Sequence, residues 1–249
     1  MIRFHVAAAL AIVAGWGTVG SAGPNDIQAA QAPMQAPVRP FGLPVVGPVY
    51  QNASDARSQE FADDLLAKAL ALVEVNLNES TEYVARNVTR LDTDKLYLMH
   101  NTIRTVRVYF LNEGAGYRNS LGVSASLAGS TEEGQRELLF PDVSDGTFGG
   151  PVYLGPGDWV DLGHFGAGTQ LEFFIIRDGA RGGRDVFTNK DHRNPDKLQH
   201  MVAWLLGDRF VLVGFEDLMG GGDLDYNDVV FVVDLQDGMT DNPSSFLPK

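Results

Sequence analysis

The residues with the clearest chemistry lie in one segment, Gly214-Phe-Glu-Asp-Leu-Met-Gly-Gly-Gly-Asp-Leu-Asp-Tyr-Asn-Asp-Val-Val-Phe231. Between Phe210 and Asp241 stand eight acids: Glu216, Asp217, Asp223, Asp225, Asp228, Asp234, Asp237 and Asp241. No lysine or arginine lies among them. Carboxylates this dense repel one another unless water or a cation screens them. Asp223, Asp225 and Asn227 occupy alternate positions, the first half of an Asp-x-Asp-x-Asn calcium loop, in which a tight turn curls positions one, three and five around one ion. Every donor is oxygen, which suits calcium and not zinc or copper. The sixth position is Asp228 where an EF-hand needs glycine, and Val229–Val233 reads as a strand rather than an exiting helix. The pattern therefore predicts a calcium loop in a β context. Glu216, Asp217, Asp223, Asp225, Asn227 and Asp228 are the candidate metal ligands. Gly220, Gly221 and Gly222 give the backbone freedom to turn closely around the ion.

Other polar residues are candidates for places behind these ligands. His200 precedes an apolar run and follows Asn194 and Asp196, while Glu113 and Asp178 fall in turns just after predicted strands. Catalytic patterns are not found. The Gly122-Val-Ser-Ala-Ser126 stretch lacks the last glycine of a nucleophile elbow. There is no His-Glu-x-x-His helix and no phosphate-binding Gly-x-x-x-x-Gly-Lys loop. The alternative to a cation module is a carbohydrate-binding module or glycan hydrolase using the same acidic loop. Trp159, Trp204 and Tyr153 read as ordinary core material, and in that alternative they would instead line a sugar face.

Composition narrows the field further. The 249-residue chain carries 19 basic against 32 acidic residues, a net charge of −13. That balance argues against nucleic acid, whose phosphates need clustered lysine and arginine, and is compatible with cationic partners. Cysteine is absent, which excludes disulfides, thiolate metal sites and cysteine nucleophiles.

The elements that must position the acids follow from pattern. Ser54 to about Leu77 has Phe61, Leu65, Ala69, Leu72 and Val73 at helical spacing, with Ser54 as the expected cap. From Arg104 onward the signal changes to short β-branched and aromatic runs. These are Arg104–Leu111, Leu121–Leu127, Glu137–Phe140, Val152–Leu154, Trp159–Leu162, Leu171–Arg177, Met201–Leu206, Phe210–Phe215 and Val229–Leu235. Glycine, proline, asparagine and aspartate separate them, which predicts a mostly β fold, an antiparallel β-sandwich or jelly roll with an N-terminal helical extension.

Ahead of the helix, Arg3, the apolar run Val6–Val13 and Gly20-Ser21-Ala22 read as a secretory signal peptide. The following Ala, Gln, Pro-rich stretch reads as a linker. The expected organisation is a signal peptide over 1–22, a linker over 23–53, a helical extension over 54–100, a β-sandwich over 101–241 and a tail over 242–249. No membrane span is expected in the mature chain.

Phe215-Glu-Asp-Leu, the glycine run and Asp225-Tyr-Asn-Asp-Val-Val-Phe231 resemble the bacterial secreted family catalogued as domain of unknown function 4114. Endings of this Asp-Tyr-Asn-Asp kind also occur in LruC-type domains. Asn112–Gly122, Pro156–Gly163, Phe173–Gly179 and Asn194–His200 are similar too, so the resemblance spans about Arg104 to Leu235. It implies a calcium-binding β-sandwich in exported proteins, often adhesins or surface proteins, and it does not imply an enzyme. The expected function is thus an exported calcium-binding module with a structural or adhesive role. Its expected partners are calcium and a surface glycan or protein.

Overall fold

The computed structural model describes residues 39–78, 82–83, 89–98, 104–127, 129–130, 132–145 and 154–236. The expected signal peptide, the linker up to residue 38, the tail, and Tyr153, Asp237 and Asp241 lie outside the described residues.

The helix α1 runs through Ala56–Phe61, a wider π-type turn at Ala62–Leu66, and Ala67–Asn76. Its cap is Asp55, not the expected Ser54. The Asp55 carboxylate accepts the Ser58 N–H at 2.8 Å, and Ser58 Oγ accepts the Asp55 N–H at 2.9 Å. This reciprocal arrangement satisfies two backbone donors that a helix start leaves open. Ser54 instead accepts the Trp159 indole N–H at 3.1 Å.

Among the described residues eleven strands follow: β1 (Thr89–Arg90), β2 (Tyr97–Leu98), β3 (Arg104–Asn112), β4 (Ser120–Leu127), β5 (Arg136–Phe140), β6 (Trp159–Phe165), β7 (Thr169–Ile176), β8 (Val186–Thr188), β9 (Met201–Leu206), β10 (Phe210–Phe215) and β11 (Val229–Asp234). They form two antiparallel sheets. One has the order β1-β9-β10-β11-β3-β6; the other has β2-β7-β4-β5, with β8 beside β7. The segment expected to be helical up to residue 100 thus also contributes a short strand to each sheet.

The sheets share one core. Val108 and Phe110 of β3, Val213 of β10 and Phe231 of β11 pack with Leu121 of β4 and Phe173 and Ile175 of β7. The Phe173 and Phe231 rings cross the interface at 5.2 Å between centroids. The outer face of the six-stranded sheet is covered as well. There Tyr109, Trp204, Leu212, Val230 and Val232 meet Phe61, Ala69 and Val73 of α1. Every residue of β11 is therefore buried. Burial on both faces explains why Val229–Val233 of that strand is a continuous apolar run instead of an alternating one.

Part of the proline-rich stretch is built into the fold. Val46 N–H donates to Leu138 O at 2.9 Å, and Leu138 N–H donates to Pro44 O at 2.8 Å. Tyr50 and Trp159 exchange backbone bonds, and Val49 is fully buried. Among the described residues no helix is long and apolar enough to cross a membrane.

Candidate metal centre

β10 and β11 are neighbours, with Phe215 opposite Val229. The chain between them, residues 216–228, is far longer than the roughly two to five residues usual for a hairpin, and long ordered loops commonly carry function. Its first residue is held to the sheet. Glu216 N–H donates to His200 O at 2.9 Å, one step beyond the Phe215–Met201 pair of β10 and β9.

The loop then turns on itself. Gly220, Gly221 and Gly222 have φ of 85°, 89° and 52°. Leu224 and Tyr226 also have positive φ, at 62° and 56°, a conformation that costs side-chain-bearing residues about 1–2 kcal/mol each. Tertiary contacts hold them there. Leu224 O accepts the Tyr83 N–H at 2.7 Å. The Tyr226 ring is buried near Tyr83, 5.8 Å between centroids, and its hydroxyl donates to Gln199 O at 3.3 Å.

This curl gathers the five predicted acidic ligands into two triads. Glu216, Asp223 and Asp225 each offer a ligand oxygen within 4.8 Å of the others. Glu216, Asp217 and Asp228 do the same. Glu216, Asp217 and Asp225 are buried, and Asp223 is exposed. Glu216 Oε1 accepts the Leu218 N–H at 3.1 Å, but the buried Oε2 has no hydrogen-bond partner. Gly222 lies directly against this carboxyl. A Cβ there would sit 2.2 Å from Oε1 and 3.1 Å from Oε2.

The remaining predicted ligand, Asn227, is bound to Asp225. Its side-chain amide donates to Asp225 Oδ2 at 2.9 Å and its backbone N–H to Oδ1 at 3.1 Å. Asp217 N–H donates to Asp228 Oδ2 at 2.7 Å, linking the two ends of the loop.

Crowding shows in the acidities. Burial, reinforced by the charges of Asp217 and Glu216, pushes the Asp228 carboxyl up to about 9. Burial, with Asp223, Asp225 and Asp217 nearby, pushes Glu216 up to about 7. Asp217 is also raised by burial, against the opposing pull of its Asn119 hydrogen bond and of Arg177 and His200. Carboxylic acids that resist ionisation in the bare protein are groups whose charge lacks compensation.

The three outlying candidates surround this cluster. His200 is buried and stacks on Phe187 at 3.9 Å between centroids. Its Nδ1 lies 2.8 Å from Glu216 O, and because a carbonyl only accepts, Nδ1 is the donor of that bond. Glu113 is buried, and the adjacent Gly114 N–H donates to Asn227 O at 3.1 Å. Burial and the charges of Asp145, Asp142 and Asp217 push Glu113 up to about 8. Asp178 acts at one remove, its N–H donating to Asn119 Oδ1 at 3.0 Å.

Two residues escaped sequence reasoning. Asn119 is fully buried, and its amide nitrogen donates to Asp217 Oδ2 at 2.6 Å. Asp196 Oδ2 accepts the Gly220 N–H at 2.7 Å and stands 2.9 Å from His200 Nε2. Burial raises the Asp196 carboxyl, but the Gly220, Leu198 and His200 hydrogen bonds outweigh it and bring it down to about 2. Asp196 lies four residues before His200, and Asp196 and Asn119 fall within the family-like phrases Asn194–His200 and Asn112–Gly122, but no spacing singles out either one as a partner of the acids.

No curated protein matches the chain. Residues 165–236, which hold β7 to β11 and both carboxylate triads, match the model of the family described as Domain of unknown function (DUF4114).

Proposed function

We propose that the protein is an exported calcium-binding β-sandwich module with a structural or adhesive role. The observation that carries this reading is Glu216 Oε2, a buried carboxylate oxygen without a hydrogen-bond partner, set among other acids. An unpaired buried acceptor costs about 1–3 kcal/mol, and more when charged, so a missing cationic partner is the economical account. The residues fit a hard divalent cation. All the donors are oxygens, and Gly222 leaves room where any side chain would strike Glu216. Glu216, Asp217, Asp223, Asp225, Asn227 and Asp228 would hold the ion, with Glu113, Asp178 and His200 behind them.

Bound calcium supplies positive charge that lets these carboxylates ionise together. The residues themselves tie the end of β10 to the start of β11 through the Asp217 N–H bond to Asp228 Oδ2. Modules of this kind outside cells commonly bind calcium with Kd on the order of 10⁻⁴–10⁻³ M, which suffices where calcium is millimolar. The signal-like residues 1–22 support export to such a compartment, periplasmic or extracellular. A stiffened loop would then face a surface glycan or protein.

The test is a thermal melt of the chain in EDTA, calcium and magnesium, with metal analysis of the same sample. A saturable rise in Tm with calcium, smaller with magnesium, is expected. Equal melts in metal-free protein under all three conditions would refute the reading.

A further inference from the structure

The two triads share Glu216 and nothing else, and this bears on how many ions the centre takes. Calcium binds oxygen at roughly 2.3–2.6 Å, so two ligands of one ion stand no more than about 5 Å apart. The triads meet that limit separately, each within 4.8 Å, and among the described residues no such group holds all five acids. Asp223 and Asp225 come from the middle of the loop, whereas Asp217 and Asp228 come from its two ends, joined by the Asp217 N–H bond to Asp228.

Charge points the same way. Five ionised carboxylates carry −5; one divalent ion leaves −3 and two leave −1. Glu216 itself is built to bridge: it is almost wholly buried, one oxygen holds Leu218 N–H, and the other is unpartnered.

We infer that the centre holds two divalent cations side by side, bridged by the Glu216 carboxylate. One sits at the strand ends with Asp217 and Asp228; the other sits in the loop with Asp223 and Asp225. Carboxylate-bridged pairs elsewhere keep their ions about 3.5–4 Å apart, a spacing one carboxylate can span. This inference rests on the calcium reading above. The two positions differ in character. Asp217 is buried and anchored by Asn119, while Asp223 is exposed, so the strand-end ion binds first and the loop ion exchanges with solvent.

The experiment is metal counting. The full chain and its D223N, D228N and E216Q variants are dialysed to equilibrium against calcium chloride. Calcium per chain is read by mass spectrometry, and circular dichroism checks the fold. Two ions in the wild type, one in D223N, one in D228N and none in E216Q are expected. D223N alters an exposed residue, so its result does not depend on folding. One ion in the wild type that D223N retains or abolishes would overturn the pair while leaving the calcium module standing. No calcium in any chain would overturn both.

Discussion

Asn119, just before β4 of one sheet, donates a hydrogen bond of 2.6 Å to Asp217 Oδ2, just after β10 of the other, and both residues are buried. The acidic loop is therefore not an appendage of the β10–β11 hairpin; it is pinned across the sandwich. Asn119→Ala leaves Asp217 without its donor. Hydrogen bonds to charged groups contribute about 1.5–3 kcal/mol, so a stability loss of that size is expected in urea titration. Calcium dependence should weaken with it. Unchanged stability and unchanged calcium response would remove Asn119 from the site.

Asp225→Ala should abolish calcium-dependent stabilisation. A ligand present at one hundred times its Kd raises stability by about 2.7 kcal/mol, and that increment is what the variant should lose. Asp237→Ala, beyond the last strand, should keep it. Paired melts with and without calcium measure both, and identical behaviour of the two variants would undo the ligand assignment.

Gly222→Ala drives a Cβ to 2.2 Å from Glu216 Oε1 at a φ of 52°. The Glu216 carboxyl must move, so the calcium increment should fall sharply. Gly207→Ala is the matched control, because its φ is 66° but nothing lies within 4 Å of its Cβ. It should lose only about 1–2 kcal/mol of backbone strain and keep the full calcium response.

The metal-free fold should weaken as pH rises. Asp228, Glu113 and Glu216 titrate near 9, 8 and 7 in the folded chain. Unfolded carboxyls titrate near about 4. The folded state thus binds more protons between these limits. Its advantage is complete below about pH 4 and disappears as pH climbs through the folded values. Asp55 and Asp196, lowered to about 2, titrate below this window and do not mask it. In EDTA, Tm should fall from pH 5 to pH 9; in calcium the fall should be smaller, so the gap widens. A chelated Tm that climbs steadily over that range would contradict the burial of these acids.

Asp55→Ala tests the helix independently of the centre. It removes the cap on α1 and the Arg107 partner, whose Nη2 lies 2.7 Å from Asp55 Oδ2. Losing such a cap costs about 0.5–2 kcal/mol. Stability should drop by that amount while the calcium-induced rise in Tm stays unchanged. A lost calcium response would show that α1 helps shape the loop.

The sequence by itself determined the local features. Met201–Leu206 and Phe210–Phe215 show their strands directly because β-branched and aromatic residues end at turn residues. Carboxylate spacing along Glu216–Asp228 marked a hard-cation loop because the alternating side chains belong to one stretch of chain. Ser54 and Asp55 have similar capping strength in sequence, and only their tertiary partners, Trp159 for Ser54 and Arg107 for Asp55, decide that Asp55 is the cap. β1, β2 and β8, of two or three residues each, are too short to carry a period and exist through pairing with β9 and β7.

Only the tertiary structure decided which carboxylates are buried, which oxygen lacks a partner, and which distant residues support them. Asn119 reaches the loop across the sandwich, and Asp196 reaches it from the segment before β9, contacts that no spacing along the chain encodes. The division of the acids into two triads around Glu216 has the same origin. It follows from where β10 ends, where β11 begins, and how Gly220–Gly222 fold the chain between them.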